Sequence, residues 1–154
     1  MGQIPFDVVV FDLDGTLADT ALDLAASLNH VLAALGRPPL PAEAVRRMVG
    51  HGARAMLYKG LAATGEVDDD LVEQAFPLLL DHYAAHIADA SRPFAGLETA
   101  LDELGTRGYR LAVCTNKLAW LSKRLLEELG LSGRFSAICG ADTFGVSTPD
   151  PDIL

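Results

Sequence analysis

Two aspartates two residues apart, Asp12 and Asp14, follow directly on Val8-Val9-Val10-Phe11 and precede Gly15-Thr16-Leu17. An unbroken run of β-branched and aromatic residues is the pattern of a strand buried on both faces. Residues two apart in extended backbone leave the same side, so both carboxylates face one spot, and Gly15 allows the sharp turn that follows. An Asp-x-Asp pair by itself is more often an acidic turn. Set between a buried strand and Gly-Thr-Leu, it reads instead as chemistry. The carboxyl end of a buried parallel strand is where open α/β sheets place ligands. One aspartate there can attack phosphorus to give an aspartyl phosphate, while the other donates a proton to the leaving oxygen and later takes one from water. A hard divalent cation relieves the repulsion between the two carboxylates. Mg²⁺ suits the position, because it is held by one or two carboxylates together with substrate phosphate oxygens.

The elements that must position this pair are legible on either side of it. After Thr20, a candidate N-cap, apolar residues at Leu22, Ala25, Leu28, Leu32 and Leu35 keep the spacing of one helix face, and Gly36 stands where the helix should stop. Pro41 opens a second helix expected through Met48, and Gly50-His51-Gly52 interrupts the chain again. A third helix is expected from Ala53 to about Ala63. Asp68, Asp69 and Asp70 then form a cap and first turn of suitable charge for a helix N-terminus, leading into a helix from Leu71 to about Ala88 that Pro77 should kink or break.

From Leu97 onward the pattern changes. A helix with Leu97, Leu101 and Leu104 on one face precedes a strand at Tyr109–Cys114. The turn Thr115-Asn116-Lys117, a helix carrying Leu118, Leu121, Leu125 and Leu129, and a weaker strand at Ala137-Ile138-Cys139 follow it. Such β/α alternation implies right-handed crossovers and a parallel sheet. The fold class is therefore α/β, a Rossmann-like parallel core interrupted by an all-helical insertion. The expected divisions are 1–17 for the first part of the core, 18–90 for the helical insertion and 91–154 for the rest of the core.

Composition narrows the partners. A net charge of −9 and a pI near 4.7 argue against nucleic acid or an anionic membrane, both of which call for a basic face. Neither a membrane-spanning run nor a signal peptide is read from the sequence, and the cytoplasm is the expected compartment. Cys114 and Cys139 each fall in an apolar, strand-like run and are read as buried thiols rather than a disulfide or metal pair.

Phe11-Asp12-Leu13-Asp14-Gly15-Thr16-Leu17, followed by Asp19-Thr20, resembles the first motif of the haloacid dehalogenase superfamily of phosphatases. The chain as a whole looks most like the phosphoglycolate phosphatase group within it. The resemblance implies Asp12 as nucleophile and Asp14 as acid and base, with both in the Mg²⁺ site and Asp14 contributing its backbone carbonyl. It implies a small phosphorylated metabolite as substrate, 2-phosphoglycolate first among candidates. A phosphomutase acting on sugar phosphates would use the same aspartates, and a catalytically silent domain would keep the same fold. Thr115 resembles the second motif, a hydroxyl that hydrogen-bonds a phosphoryl oxygen, and Asn116 adds donors beside it. A hydroxyl at a strand end near a helix N-terminus is a reasonable oxyanion contact and equally a helix cap. Lys117 adds a cation, although a lysine in such a turn is more often solvated.

Asp142 to Pro151 resembles the third motif, with Thr148 where a lysine is expected before Pro149. Nothing resembling the fourth motif precedes Leu154, so the chain is read as a fragment or truncated product of a longer phosphatase. In that family a helical cap inserted after the first motif closes over the aspartates. Closure of this kind excludes water and completes a site. The insertion's Gly50-His51-Gly52-Ala53-Arg54 is the segment expected to face substrate, its glycine backbone and Arg54 suiting an anion such as a carboxylate. A plain interhelix turn is the even-weighted alternative. His30, His82 and His86 have no partner that the sequence identifies.

Overall fold

The structure is a computed structural model, described here over residues 7–145. Thr148, Pro149 and Pro151 of the segment resembling the third motif lie outside the described residues. The chain divides into two compact units, one formed by 1–18 with 93–154 and the other by 19–92.

The first unit carries a three-stranded parallel sheet of order β1-β4-β5, with β1 at Val8–Phe11, β4 at Arg110–Cys114 and β5 at Ala137–Cys139. Phe11 stands opposite Val113, and Cys114 stands opposite Cys139. Helix α5 (Leu97–Thr106) leads into β4 and packs on it, and α6 (Ala119–Glu128) packs on β5. Leu101, Val113, Leu121, Leu125 and Leu126 form the interior, each leucine contributing about 2 kcal/mol by leaving water. Leu97 and Leu104, expected on the buried face of α5, are only half-buried beside Leu101.

The run Val8–Phe11 is a strand but is not buried on both faces: Val8 is 38% and Val10 42% exposed. Among the described residues β1 is the edge of the sheet, with β4 along one side only, so the face bearing Val8 and Val10 lacks the cover that its composition anticipates.

The second unit is helical: α1 (Ala21–Ala34), α2 (Ala42–Arg46), α3 (Ala53–Thr64) and α4 (Asp69–Ala85). Helix α1 packs against each of the others through a face containing Leu24, Leu28, Val31 and Leu32. Leu22 and Leu35 were assigned to that face by spacing but are exposed. Thr20 holds the N-cap position of α1 without a side-chain cap bond, and the neighbouring Asp19 Oδ1 accepts from Ala21 N–H instead. Asp68 caps α4 as expected, accepting from Leu71 N–H at 2.8 Å. Pro77 lies inside α4, which is one continuous helix. Pro77 and Glu73, whose carbonyl loses its intrahelical donor, are both exposed, so water can satisfy that oxygen. Between the units the chain passes through two short strands, β2 (Ala18–Asp19) and β3 (Arg92–Pro93), which pair with each other.

Candidate active site

At the carboxyl end of β1 the backbone closes into a tight loop. Leu17 and Ala18 N–H both donate to Leu13 O, and Gly15 N–H donates back to Ala18 O. Gly15 takes a φ of +77°, a conformation costly for residues with a Cβ. The loop leaves Leu13 and Leu17 fully buried, which fixes the residues between them.

The Asp12 carboxylate accepts from the N–H of Leu13 at 2.7 Å and from the side-chain hydroxyl of Thr115. Thr115 is buried at the end of β4, and its Oγ1 also accepts the N–H of Lys117 at 3.2 Å. This hydroxyl therefore links the two strand ends. It does not cap α6: that role falls to Asp142, whose Oδ1 accepts from Ala119 N–H at 2.7 Å.

Lys117 is not solvated. Its Nζ lies 3.1 Å from Asp14 Oδ1, and the two side chains are only 6% and 10% exposed. Asp12, Asp14, Thr115 and Lys117 thus form one cluster, with Asn116 in the turn between the last two. Much of Asp12 remains accessible, yet its carboxyl stands in partly dehydrated surroundings. Burial raises its proton affinity above the usual carboxylate value; the Leu13 N–H and Thr115 hydroxyl oppose the rise, Asp14 adds to it, and Lys117 opposes it.

The turn is braced from β5. Gly140 approaches Ala119 so closely that a Cβ would stand 2.3 Å from Ala119 N and 2.6 Å from Lys117 O. Ala141 N–H donates to the same Lys117 carbonyl. Gly140 has no role in the sequence reading, and Asp142 enters it only as the first residue of the segment resembling the third motif. A glycine directly after a strand and an aspartate two residues on were the available signals.

The remaining candidates belong to the helical unit. Gly50 and Gly52 take φ values of +110° and +90°, and Gly52 occupies the N-cap position of α3. Arg54 forms an ion pair with Glu73, and its guanidinium lies 3.9 Å from the centre of the Phe76 ring. His30, His82 and His86 do have partners. His82 stacks between His30 and His86 at centroid separations of 4.3 and 4.5 Å, and its Nδ1 is 2.9 Å from Ser27 Oγ.

For a hard cation the cluster offers oxygen donors from Asp12 and Asp14, the donor type that Mg²⁺ takes. Among the described residues no group of three or more His, Cys, Asp or Glu side chains could hold a metal. The two aspartates therefore fit as part of a coordination shell that water and substrate oxygens would fill.

The family model described as haloacid dehalogenase-like hydrolase matches residues 9–154. The chain belongs to this family. It is 50% identical over 145 residues to a phosphoglycolate phosphatase of Caulobacter vibrioides, covering 92% of this chain and 60% of that protein. It is 46% identical to the phosphoglycolate phosphatase of Mesorhizobium japonicum, covering 94% and 64%. The chain thus spans between three-fifths and two-thirds of the length of these curated relatives. Among solved structures, a crystal structure titled as a predicted phosphoglycolate phosphatase from Haemophilus somnus superposes with a TM-score of 0.90 at 27% identity, covering 98% of this chain and 69% of that one.

Proposed function

We propose that this haloacid dehalogenase-like chain carries the phosphoryl-transfer site of a Mg²⁺-dependent phosphatase acting on a small phosphate monoester. The observation that supports this most is the convergence of Asp12, Asp14, Thr115 and Lys117 at the carboxyl end of the sheet. The names of the relatives suggest 2-phosphoglycolate as the ester.

Asp12 is the nucleophile: one carboxylate oxygen attacks phosphorus while the ester oxygen departs, leaving an acyl phosphate. Its Leu13 and Thr115 hydrogen bonds orient the carboxylate for that attack. Asp14 protonates the leaving oxygen and then accepts a proton from the water that cleaves the acyl phosphate. Thr115 and Asn116 bind the phosphoryl oxygens, and Lys117, already at the strand ends, supplies the positive charge that the reaction requires. Mg²⁺, held by the Asp12 carboxylate and the Asp14 carbonyl, would neutralise phosphate charge when bound. The helical unit carries the segment proposed as the cap's substrate contact, Gly50, Gly52 and Arg54, and Arg54 would have to leave its ion pair with Glu73 to meet an anion. The cytoplasm is the compartment in which such a metabolite would be met.

The test is hydrolysis of p-nitrophenyl phosphate, then 2-phosphoglycolate, by the chain and its Asp12→Asn variant, with and without Mg²⁺. Mg²⁺-dependent turnover lost in the variant supports the reading. Equal rates for the two proteins would overturn it in favour of a silent domain, a reading that Thr148 in place of the lysine of related motifs also fits.

A further inference from the structure

Arg54 stands where a cation is locally out of place. It is the second residue of α3, after a Gly52 cap that makes no side-chain cap bond, and the first turn of that helix contains no acidic residue. The N-terminal turn of a helix favours negative charge, because its N–H groups carry the positive end of the helix dipole. A guanidinium added there concentrates positive charge, which an anion relieves. In the structure that anion is the Glu73 carboxylate, which accepts a hydrogen bond from Arg54 Nη1.

Glu73 lies on α4, three residues before Phe76, and residues three apart share a helix face. Phe76 is half-buried, with the Arg54 guanidinium 3.9 Å from its ring centre. One face of α4 therefore makes two contacts of different kinds with one side chain. The ring holds the guanidinium by cation–π attraction, a contact for which a carboxylate does not compete. Glu73 takes an edge of the guanidinium, where another carboxylate would bind in the same way. The exposure of the pair decides how easily that edge changes hands. The Arg54 and Glu73 side chains are 52% and 63% exposed, and pairs this open to water shift an equilibrium by at most about fivefold.

We propose that Glu73 is an intramolecular competitor for the anion that Arg54 reads: its carboxylate holds the guanidinium edge until a carboxylate of the substrate displaces it into solvent, while Phe76 keeps the guanidinium in place through the exchange. Glu73 touches no substrate in this scheme. It is a positioning residue that sets the affinity for carboxylate-bearing ligands and leaves ligands without a carboxylate unaffected. That the incoming carboxylate belongs to a phosphate ester rests on the phosphatase reading, whereas the exchange at Arg54 does not.

The experiment is an NMR titration of the full chain without added Mg²⁺, following the Arg54 Nε–H signal at constant ionic strength. The probes are 2-phosphoglycolate, ethyl phosphate, which lacks the carboxylate, and glycolate, which lacks the phosphate. The expected result is that 2-phosphoglycolate and glycolate move the Arg54 signal and ethyl phosphate does not. Glu73→Gln should tighten 2-phosphoglycolate by up to about fivefold and leave ethyl phosphate unchanged. Glu73→Asp, which keeps the charge but withdraws it from Arg54, should behave like Glu73→Gln. Arg54→Gln should abolish the effect of either Glu73 change. Unchanged or weaker 2-phosphoglycolate binding in Glu73→Gln would overturn the proposal. So would equal tightening of both esters, which is the mark of net charge alone. If neither ester binds, the phosphatase reading falls and glycolate decides the exchange: an Arg54 response enhanced in Glu73→Gln upholds it, and an unaltered response overturns it.

Discussion

Lys117 places its ammonium 3.1 Å from the Asp14 carboxylate, in a pocket where both side chains are almost wholly withdrawn from water. An ion pair at that depth makes each partner depend on the other, since removing one leaves an uncompensated charge.

Lys117→Met should therefore lower stability by about 3 kcal/mol, read as a reduced urea midpoint. The double variant Lys117→Met with Asp14→Asn should lose less than the sum of the single changes. Additive losses would mean that the two side chains do not interact in solution.

Gly140→Ala places a methyl group against backbone rather than a flexible side chain. The strands or the Thr115–Lys117 turn must shift, at about 3 kcal/mol, and hydrogen exchange at Ala119 and Ala141 should accelerate. An unchanged melting temperature would show that this approach is looser than described.

Asp23 is buried in α1 and accepts the N–H groups of Ala90 and Ser91 and the hydroxyl of Ser91. Asp23→Ala strands these donors and should destabilise the helical unit by about 3 kcal/mol. Amide exchange at Ala90 and Ser91 should rise most.

The imidazole stack makes the helical unit sensitive to acid. Burial, then the neighbouring His30 and His86, lower the His82 proton affinity in the fold, with Asp89 opposing. The unfolded chain therefore binds the proton more readily, so stability is intact above the ordinary imidazole value of 6.5 and declines as pH falls below it. Thermal midpoints at about pH 7.5 and about pH 5.5, on either side of that value, should fall further for wild type than for His82→Gln. Equal falls would assign the acid sensitivity to other groups.

Much of this architecture could be read from residue order. The strands β1, β4 and β5 and the four helices of the insertion follow from local patterns and from Gly and Pro punctuation, which act within a few residues. The strand-end positions of Asp12 and Thr115 were legible for the same reason. What the sequence withheld depends on distant partners. Lys117 reads as solvated until Asp14 is seen beside it, and Thr115 reads as a cap until Asp142 is found to hold α6. Arg54 looks available until Glu73 and Phe76 engage it. The Val8 and Val10 side chains show the same dependence in reverse: a two-sided apolar strand states what it prefers to touch, while its neighbours determine what it does touch.

The pairing of β2 with β3 has an evolutionary corollary. The chain departs from the α/β unit and returns to it along adjacent, hydrogen-bonded segments, so the excursion between them begins and ends at nearly one place. Any polypeptide whose termini meet at a single interstrand spacing could be spliced there without altering the connectivity of the parallel ladder. The parallel α/β scaffold can thereby accept a different intervening module by recombination, with its strand order unchanged.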